Sequence, residues 1–237
     1  MTENKKENLN NRMIKFLFEA APVRGACVQM AEEWQEMIKF HHYPENVAAL
    51  LGQFTAGALL LSSTIKFEGS LILQVKGSGP IAFIYAEVRN PMSVRAMAEI
   101  REGAEIKPEM DLQELINKDG KGVCALILDP KDRRPGVQPY QGMVSLESNS
   151  VAENLENYMA KSEQLETKLY LAADCKKLGG LVIQKMPSVG GNVSEISDPD
   201  AWGRIMQLAH TVTKEELLNV PATDVLHRLF WQEKLVP

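Results

Sequence analysis

The sequence has 237 residues, of which 45% are hydrophobic and 24% charged, and these are the proportions of an ordinary soluble globular protein. They exclude wholesale disorder, collagen-like repeats and a disulfide scaffold. The formal net charge of -5 gives no overall electrostatic attraction to nucleic acid or to a membrane, so we expect neither as a partner.

The first twelve residues, MTENKKENLNNR, are polar and lack the apolar core of a signal peptide. We therefore expect residues 1–12 to be disordered and the protein to be cytoplasmic. The next pattern is an apolar stripe formed by Trp34, Met37, Ile38 and His41, at i, i+3, i+4 and i+7. This spacing predicts a short amphipathic helix whose apolar face packs in the core.

An uncharged stretch of nineteen residues follows, from Val47 to Ile65. It is long enough to cross a membrane, but it contains Gln53, Thr55 and other polar side chains, and the sequence has no second stretch of this kind. Apolar residues on every face are also typical of a helix that is surrounded by protein. We predict a buried central helix with Pro44 in its first turn.

Strand patterns dominate the middle of the chain. The segments Leu71–Lys76 and Ile81–Val88 flank the turn-rich tetrapeptide GSGP, which predicts a β-hairpin. A short helix is predicted from Asp111 to Asn117. Further strands are predicted at Val94–Ile100, Val123–Asp129, Met143–Glu147, Lys168–Ala173 and Leu181–Lys185.

Helix signals mark the rest of the chain. Ser150 with Glu153, and Thr213 with Glu216, have the spacing of capping boxes, in which a hydroxyl and a carboxylate satisfy free backbone groups at a helix start. A further helix is predicted to open at Asp198-Pro199. Since the strands come first and the helices last, the sequence favours an α+β fold: a mainly antiparallel sheet core with a long buried helix, followed by a helical C-terminal arm.

Three cysteines, Cys27, Cys124 and Cys175, match no zinc or disulfide spacing, and their odd number favours a reducing compartment. Cys124 lies within an apolar strand and is expected to be inert. Cys175 lies in a predicted turn before Lys176 and Lys177, whose charges favour a thiolate. A thiol-dependent enzyme that uses Cys175 with a histidine therefore remains an alternative, as does a passive interaction domain.

The four histidines, His41, His42, His210 and His227, form no metal-binding pair of the HExxH type. Adjacent His41 and His42 cannot face the same side of a helix. No nucleophile elbow, phosphate-binding loop or dinucleotide fingerprint is present either. We therefore expect no catalytic residues.

Five segments along nearly the whole chain carry a resemblance to a known family. They are FLFEAAPVRG from Phe16, LLGQFTAGALLLSSTIKFEGSLILQVKGSGP from Leu50, YQGMVSLESNSVAENLENYMAKSEQLETKLYLA from Tyr140, GGLVIQKMP from Gly179 and LLNVPATDVLHRLFWQEK from Leu217. In this order and spacing they resemble the heat-shock protein 33 family, chaperones that hold unfolding proteins without ATP (holdases). The short motifs KFEGSL, YQG, SEQ and LHRLF become specific because they occur together.

The resemblance implies a redox switch that this sequence lacks. Family members carry, after the helix containing LHRLF, a small module in which CxC and CxxC cysteine pairs hold one zinc ion. Oxidation of the four thiols releases the zinc and unfolds the module. The sequence reaches Pro237 before any such pair, and none of its three cysteines matches the motif. The expectation is no cofactor in this chain and no redox control of it.

The resemblance also divides the chain into a core, residues 13–187, and a helical linker arm, residues 188–237. In the family the linker unfolds and exposes apolar surface that captures unfolding client proteins, and active members are homodimers. An arm packed permanently on the sheet would carry the same apolar residues, so the sequence leaves both readings open. The candidates for a client-binding surface or lid are Trp202, Ile205, Leu208, Leu226, Leu229, Phe230 and Trp231.

Overall fold

The computed structural model describes residues 12–89, 93–132, 138–186, 198 and 200–237. These residues form two five-stranded antiparallel sheets and seven helices, which confirms the α+β class. The strands are β1 (Arg12–Phe18), β2 (Val23–Met30), β3 (Gly69–Lys76), β4 (Ile81–Arg89), β5 (Ser93–Ile100), β6 (Val123–Pro130), β7 (Tyr140–Val144), β8 (Thr167–Ala173), β9 (Leu178–Lys185) and β10 (Leu235–Val236). The helices are α1 (Glu32–Ile38), α2 (Glu45–Thr64), α3 (Leu112–Ile116), α4 (Val151–Ser162), α5 (Ala201–Ala209), α6 (Lys214–Asn219) and α7 (Ala222–Phe230).

The central helix α2 lies between the two sheets. One sheet, with strand order β10-β1-β2-β9-β8, is called here the arm sheet, and the second has the order β5-β4-β3-β6-β7. Helix α2 contacts strands of both. By length and apolarity it could cross a membrane, but 78% of its most apolar window is buried inside the protein. The prediction of a buried central helix is confirmed, with Pro44 as its N-cap.

Local signals in the sequence predicted several elements correctly. The hairpin is β3 with β4, in a register that pairs Leu71 with Val88. Thr213 with Glu216 forms the complete capping box that was predicted. Of the predicted box at Ser150, only one half forms: the Ser150 side chain accepts a hydrogen bond from the Glu153 backbone N–H, but the Glu153 carboxylate accepts from the Ser148 hydroxyl and the Ser150 N–H donates to Ser148 Oγ. These contacts satisfy N–H groups that have no partner within the first helical turn.

Other elements differ from the sequence-based expectation. Strands β1, β2 and β10 were not predicted, β7 begins three residues before the predicted Met143, and His41 lies beyond the end of α1. Strand β2 shows no apolar and polar alternation because both of its faces are covered, by α2 on one side and by helices of the arm on the other. Strand β10 has only two residues and forms by pairing with β1.

The predicted disordered segment falls on residues 1–11, which lie outside the described residues, and on Arg12, the first residue of β1. The predicted boundary between core and arm, at residues 187 and 188, also lies outside them. The described part of the arm begins at Asp198.

Candidate functional site

The helical arm covers the outer face of the arm sheet. Helix α7 lies on β1 and β2, α6 lies on β8 and β9, and α5 contacts β9 and α7. The face of the sheet opposite the arm packs against α2, so the central strands β2 and β9 are buried on both sides. Sixteen buried side chains form the core between sheet and arm, here called the seam: Phe16, Phe18, Val23, Cys27, Ala172, Leu181 and Ile183 from the sheet, and Ala201, Ile205, Ala209, Leu217, Ala222, Val225, Leu226, Leu229 and Phe230 from the arm.

Three phenylalanines occupy the part of the seam beneath α7. The Phe18 and Phe230 rings meet edge to face with their centroids 5.1 Å apart, and Phe16 lies 5.6 Å from Phe18 and 6.1 Å from Phe230. Phe16 and Phe18 are i and i+2 on β1, so they share one face of the strand. Aromatic pairs of this geometry contribute about 0.5–1.5 kcal/mol beyond the area that they bury. The sheet and the arm therefore share an aromatic contact that neither can form alone.

The seven candidate residues do not share one environment. Ile205, Leu226, Leu229 and Phe230 are buried in the seam. Trp202 and Leu208 are half-buried against the same cluster, and the Lys185 ammonium lies 5.8 Å from the Trp202 ring centroid. Trp231 follows the last residue of α7 and is 67% exposed. The structure thus brings six of the seven together and leaves Trp231 in solvent.

One polar side chain that the sequence did not single out lies inside the seam. Gln29, on β2, is 4% exposed and points toward the connection between α6 and α7. Its Nε2 donates to the carbonyl oxygens of Leu217 at 2.9 Å and Val220 at 2.6 Å. Its Oε1 accepts from the Ala222 N–H at 2.8 Å. All of its hydrogen bonds with the described residues of the arm are to backbone groups.

Ion pairs lie beside the seam, and all of their side chains are partly exposed except that of Glu233, which is 9% exposed. Arg204 pairs with Asp198 and with Glu233, each at 2.7 Å, and the Arg204 guanidinium holds the pKa of the Asp198 carboxyl below its usual range. At the edge of the sheet, Lys234 pairs with Glu19 at 2.6 Å, next to the short pairing of β10 with β1. The exposed pairs of Arg204 with Asp198 and of Lys234 with Glu19 contribute little to stability, because solvent screens their charges. The apolar seam therefore accounts for more of the docking than its rim does.

The three cysteines lie in three separate places. Cys27 is buried in the seam, Cys124 is buried in the core between the two sheets, and Cys175 is exposed in the turn between β8 and β9. Burial raises the pKa of the Cys27 and Cys124 thiols to about 12. They do not fit a four-thiolate zinc site, since no two of them share an environment. Among the described residues no group of three or more His, Cys, Asp and Glu side chains is placed to hold a metal ion.

The alternative of a thiol enzyme needs a base beside Cys175. In the described part of the chain no hydrogen bond joins Cys175 to a histidine. His41 instead stacks on Tyr43, with ring centroids 5.1 Å apart, and His210 meets the edge of Tyr170 at 6.5 Å. Among the described residues no histidine is thus hydrogen-bonded to Cys175 as a general base.

Comparison with known proteins gives one consistent result. The sequence model of the family described as Hsp33 protein matches residues 11–236. A "33 kDa chaperonin" of Methylobacillus flagellatus is 38% identical over 226 residues, which cover 95% of this chain and 73% of that protein. One of Neisseria gonorrhoeae is 41% identical over 216 residues, covering 91% and 68%.

A crystal structure extends the comparison to the fold. The 33 kDa chaperonin of Thermotoga maritima, described as a heat shock protein 33 homolog, superposes with a TM-score of 0.72 at 22% identity. The superposition covers 95% of this chain and 77% of the other. At this identity the match supports the arrangement of sheets and helices.

Proposed function

The chain belongs to the Hsp33 family, and the relatives that it resembles are named chaperonins. From this we propose that it is an ATP-independent holdase. It binds unfolding proteins and keeps them from aggregating, with no catalytic residues and no cofactor of its own. Its partners are unfolded clients and a second copy of the chain in a homodimer, and it acts in the cytoplasm. The client-binding surface is the seam, which becomes available when the arm leaves the arm sheet.

One observation carries this proposal: the apolar surface of the seam is divided between a sheet and three short helices. Helices α5, α6 and α7 have nine, six and nine residues. Helices of this length are unstable in water without tertiary contacts. When the arm detaches, its helices lose their support and two apolar surfaces are exposed together, one on the sheet and one on the arm.

Such surfaces suit the segments that an unfolding protein exposes. Apolar burial has no directional requirement, so Phe16, Phe18 and Leu181 on the sheet can pack against many different client side chains. A large exposed apolar patch is also a hazard for a resting protein, since it promotes association. The arm covers this patch while the protein is at rest.

Detachment of the arm is a local unfolding reaction, which needs no nucleotide. Elements that have few contacts with the rest of the fold open at a lower free energy than the core does. The three helices of the arm contact one face of one sheet, whereas α2 is enclosed by both sheets. Conditions that unfold clients, heat above all, therefore also favour the open arm.

The test is suppression of aggregation. A client that unfolds on heating, such as citrate synthase, is mixed with an equimolar amount of the purified chain without nucleotide, and light scattering is followed. Scattering is expected to fall, and addition of ATP is expected to change nothing. Scattering equal to that of the client alone would contradict the proposal. Protection of one client among several unrelated ones would instead indicate a dedicated interaction domain.

A further inference from the structure

At the connection between α6 and α7, three backbone groups have no hydrogen-bond partner within either helix. In a continuous helix the Leu217 carbonyl would accept a hydrogen bond from the N–H of residue 221, four positions later. That residue is Pro221, which has no N–H. The helix ends, and the carbonyls of Leu217 and Val220 and the N–H of Ala222 face the arm sheet. A buried backbone group of this kind without a partner destabilises the folded state.

Gln29 supplies all three partners from the sheet. A primary amide has a donor NH2 and an acceptor oxygen, so it can serve two carbonyls and one N–H at once. Its neighbour in the β-ladder provides the space, because Gln29 pairs in register with Gly179 of β9. A Cβ at Gly179 would lie 2.2 Å from the Leu217 oxygen. The close approach of α6 to the sheet thus requires glycine at 179. The backbone groups between Leu217 and Ala222 require the Gln29 amide as their hydrogen-bond partner.

We propose that Gln29 is the residue that positions the arm over the client-binding surface and sets how often the arm opens. This proposal rests on the proposed function in one respect only, namely that opening of the arm exposes the client-binding surface. Its three hydrogen bonds reach backbone groups between Leu217 and Ala222, so they break together when that segment leaves the sheet. The amide is uncharged, so this contact does not respond to pH or salt as the rim ion pairs do.

The variant is Gln29→Met, which keeps the length and approximate volume of the side chain but has no amide. The matched control is Gln184→Met. Gln184 is a fully buried glutamine on the adjacent strand β9, which accepts from Arg24 and donates to Thr167 at 2.7 Å. It forms no hydrogen bond with the described residues of the arm. A general loss of stability would therefore affect both variants.

The readout is the labelling rate of Cys27, which lies in the seam two residues before Gln29. Cys124→Ala and Cys175→Ser leave it as the single thiol. A thiol reagent reaches it only after the arm opens, so the rate measures the population of the open state. Gln29→Met is expected to raise this rate by about tenfold or more, and Gln184→Met to leave it within about twofold.

Two further measurements keep the outcome decisive. Gln29→Asn retains the amide but shortens the side chain by one methylene, and it is expected to give a smaller increase; it replaces Gln29→Met if that variant does not fold. In the unaltered protein, hydrogen exchange at the Ala222 amide, which donates to Gln29, is expected to be protected by the same opening free energy as Cys27.

An unchanged Cys27 rate in Gln29→Met, an equal rise in Gln184→Met, or an unprotected Ala222 amide would each overturn the proposal. The holdase assay separates this proposal from the proposed function. If Gln29→Met labels faster but holds a client no better than the unaltered chain, then Gln29 positions the arm as described and the seam is not the client-binding surface.

Discussion

Single residues in this protein take their chemistry from their position in the fold. The thiols of Cys27 and Cys124 are buried, and desolvation raises the pKa of each to about 12. Reaction with peroxide requires a thiolate, which these two cysteines do not form near neutral pH. Cys175 is exposed in a turn, where its reaction with peroxide disturbs neither the seam nor the core.

Treatment with hydrogen peroxide is therefore expected to leave the proposed holdase activity unchanged. The check is light scattering of a heat-treated client with the chain before and after peroxide, together with mass spectrometry of the thiols. Oxidation is expected at Cys175. Strong activation by peroxide would show that one of the three cysteines takes part in control.

The same buried thiols predict how stability depends on pH. Below pH 9.0 the Cys27 thiol is neutral in both the folded and the unfolded chain, so it contributes no pH dependence. Above it the unfolded chain ionises while the folded chain does not, and stability falls as the pH rises toward about 12. Cys124 and Tyr170, whose pKa is also raised to about 12 by burial, act in the same direction.

Urea unfolding at about pH 8 and about pH 10.5 measures this loss, in which each pKa unit corresponds to about 1.4 kcal/mol. Cys27→Ala is expected to lose less stability across that interval than the unaltered protein does. An equal loss in both would mean that Cys27 is not desolvated in the folded state, and that the arm does not cover it.

At the scale of elements, helix α7 offers a matched pair of neighbouring aromatics. Phe230 is 1% exposed within the phenylalanine cluster, whereas Trp231 is exposed. Phe230→Ala is expected to weaken the docking of the arm by about 3–5 kcal/mol, because it removes a buried ring and leaves a cavity. Trp231→Ala is expected to change it by less than about 0.5 kcal/mol.

Hydrogen exchange of the α6 and α7 amides measures both effects. Loss of protection is expected to stay within the arm in Phe230→Ala, while α2 and the second sheet remain protected. If Trp231→Ala had the larger effect, the exposed ring would be part of an interface that the isolated chain does not form.

Elements with local signals could be predicted from the sequence. Helix α2 has an apolar stretch too long for a strand, and Ser150 and Thr213 mark helix starts through contacts within four residues. Strand β2 could not be predicted, because a strand covered on both faces has no alternation and Gly25 interrupts its pattern. Its second cover is the arm, which lies almost 200 residues later in the sequence.

The candidate site could also be predicted only in part, because the sequence shows local patterns but not contacts between distant residues. The apolar stripe of α7 identified Leu226, Leu229 and Phe230, but the pattern continued into Trp231, one residue past the helix end. Gln29 was missed because its nearest partner on the arm is 188 residues away. The available signal was a single polar side chain in the otherwise apolar run from Ala26 to Met30.

At the scale of the whole molecule, the arm sheet has two different covers. Helix α2 and the second sheet enclose one face, and the three short helices α5, α6 and α7 cover the other. In the proposed function, the arm opens to expose one apolar face while the rest of the core stays folded. The proposed function depends on this separation between the two covers of the sheet.

The separation can be tested by locking the arm in place. Leu17 of β1 and Val236 of β10 are directly paired, in an antiparallel ladder whose Cα spacing of about 4.5–5.5 Å suits a disulfide. The double variant Leu17→Cys, Val236→Cys, in a background of Cys27→Ala, Cys124→Ala and Cys175→Ser, carries one removable lock. Oxidised and reduced samples of the same protein are then compared.

Suppression of client aggregation by this variant, measured by light scattering with and without a reducing agent, tests the central claim most directly. The account predicts that the oxidised protein leaves the client to aggregate nearly as it does alone, and that reduction restores suppression. Equal suppression by the oxidised and reduced forms would contradict it, because clients would then bind while the arm stays closed.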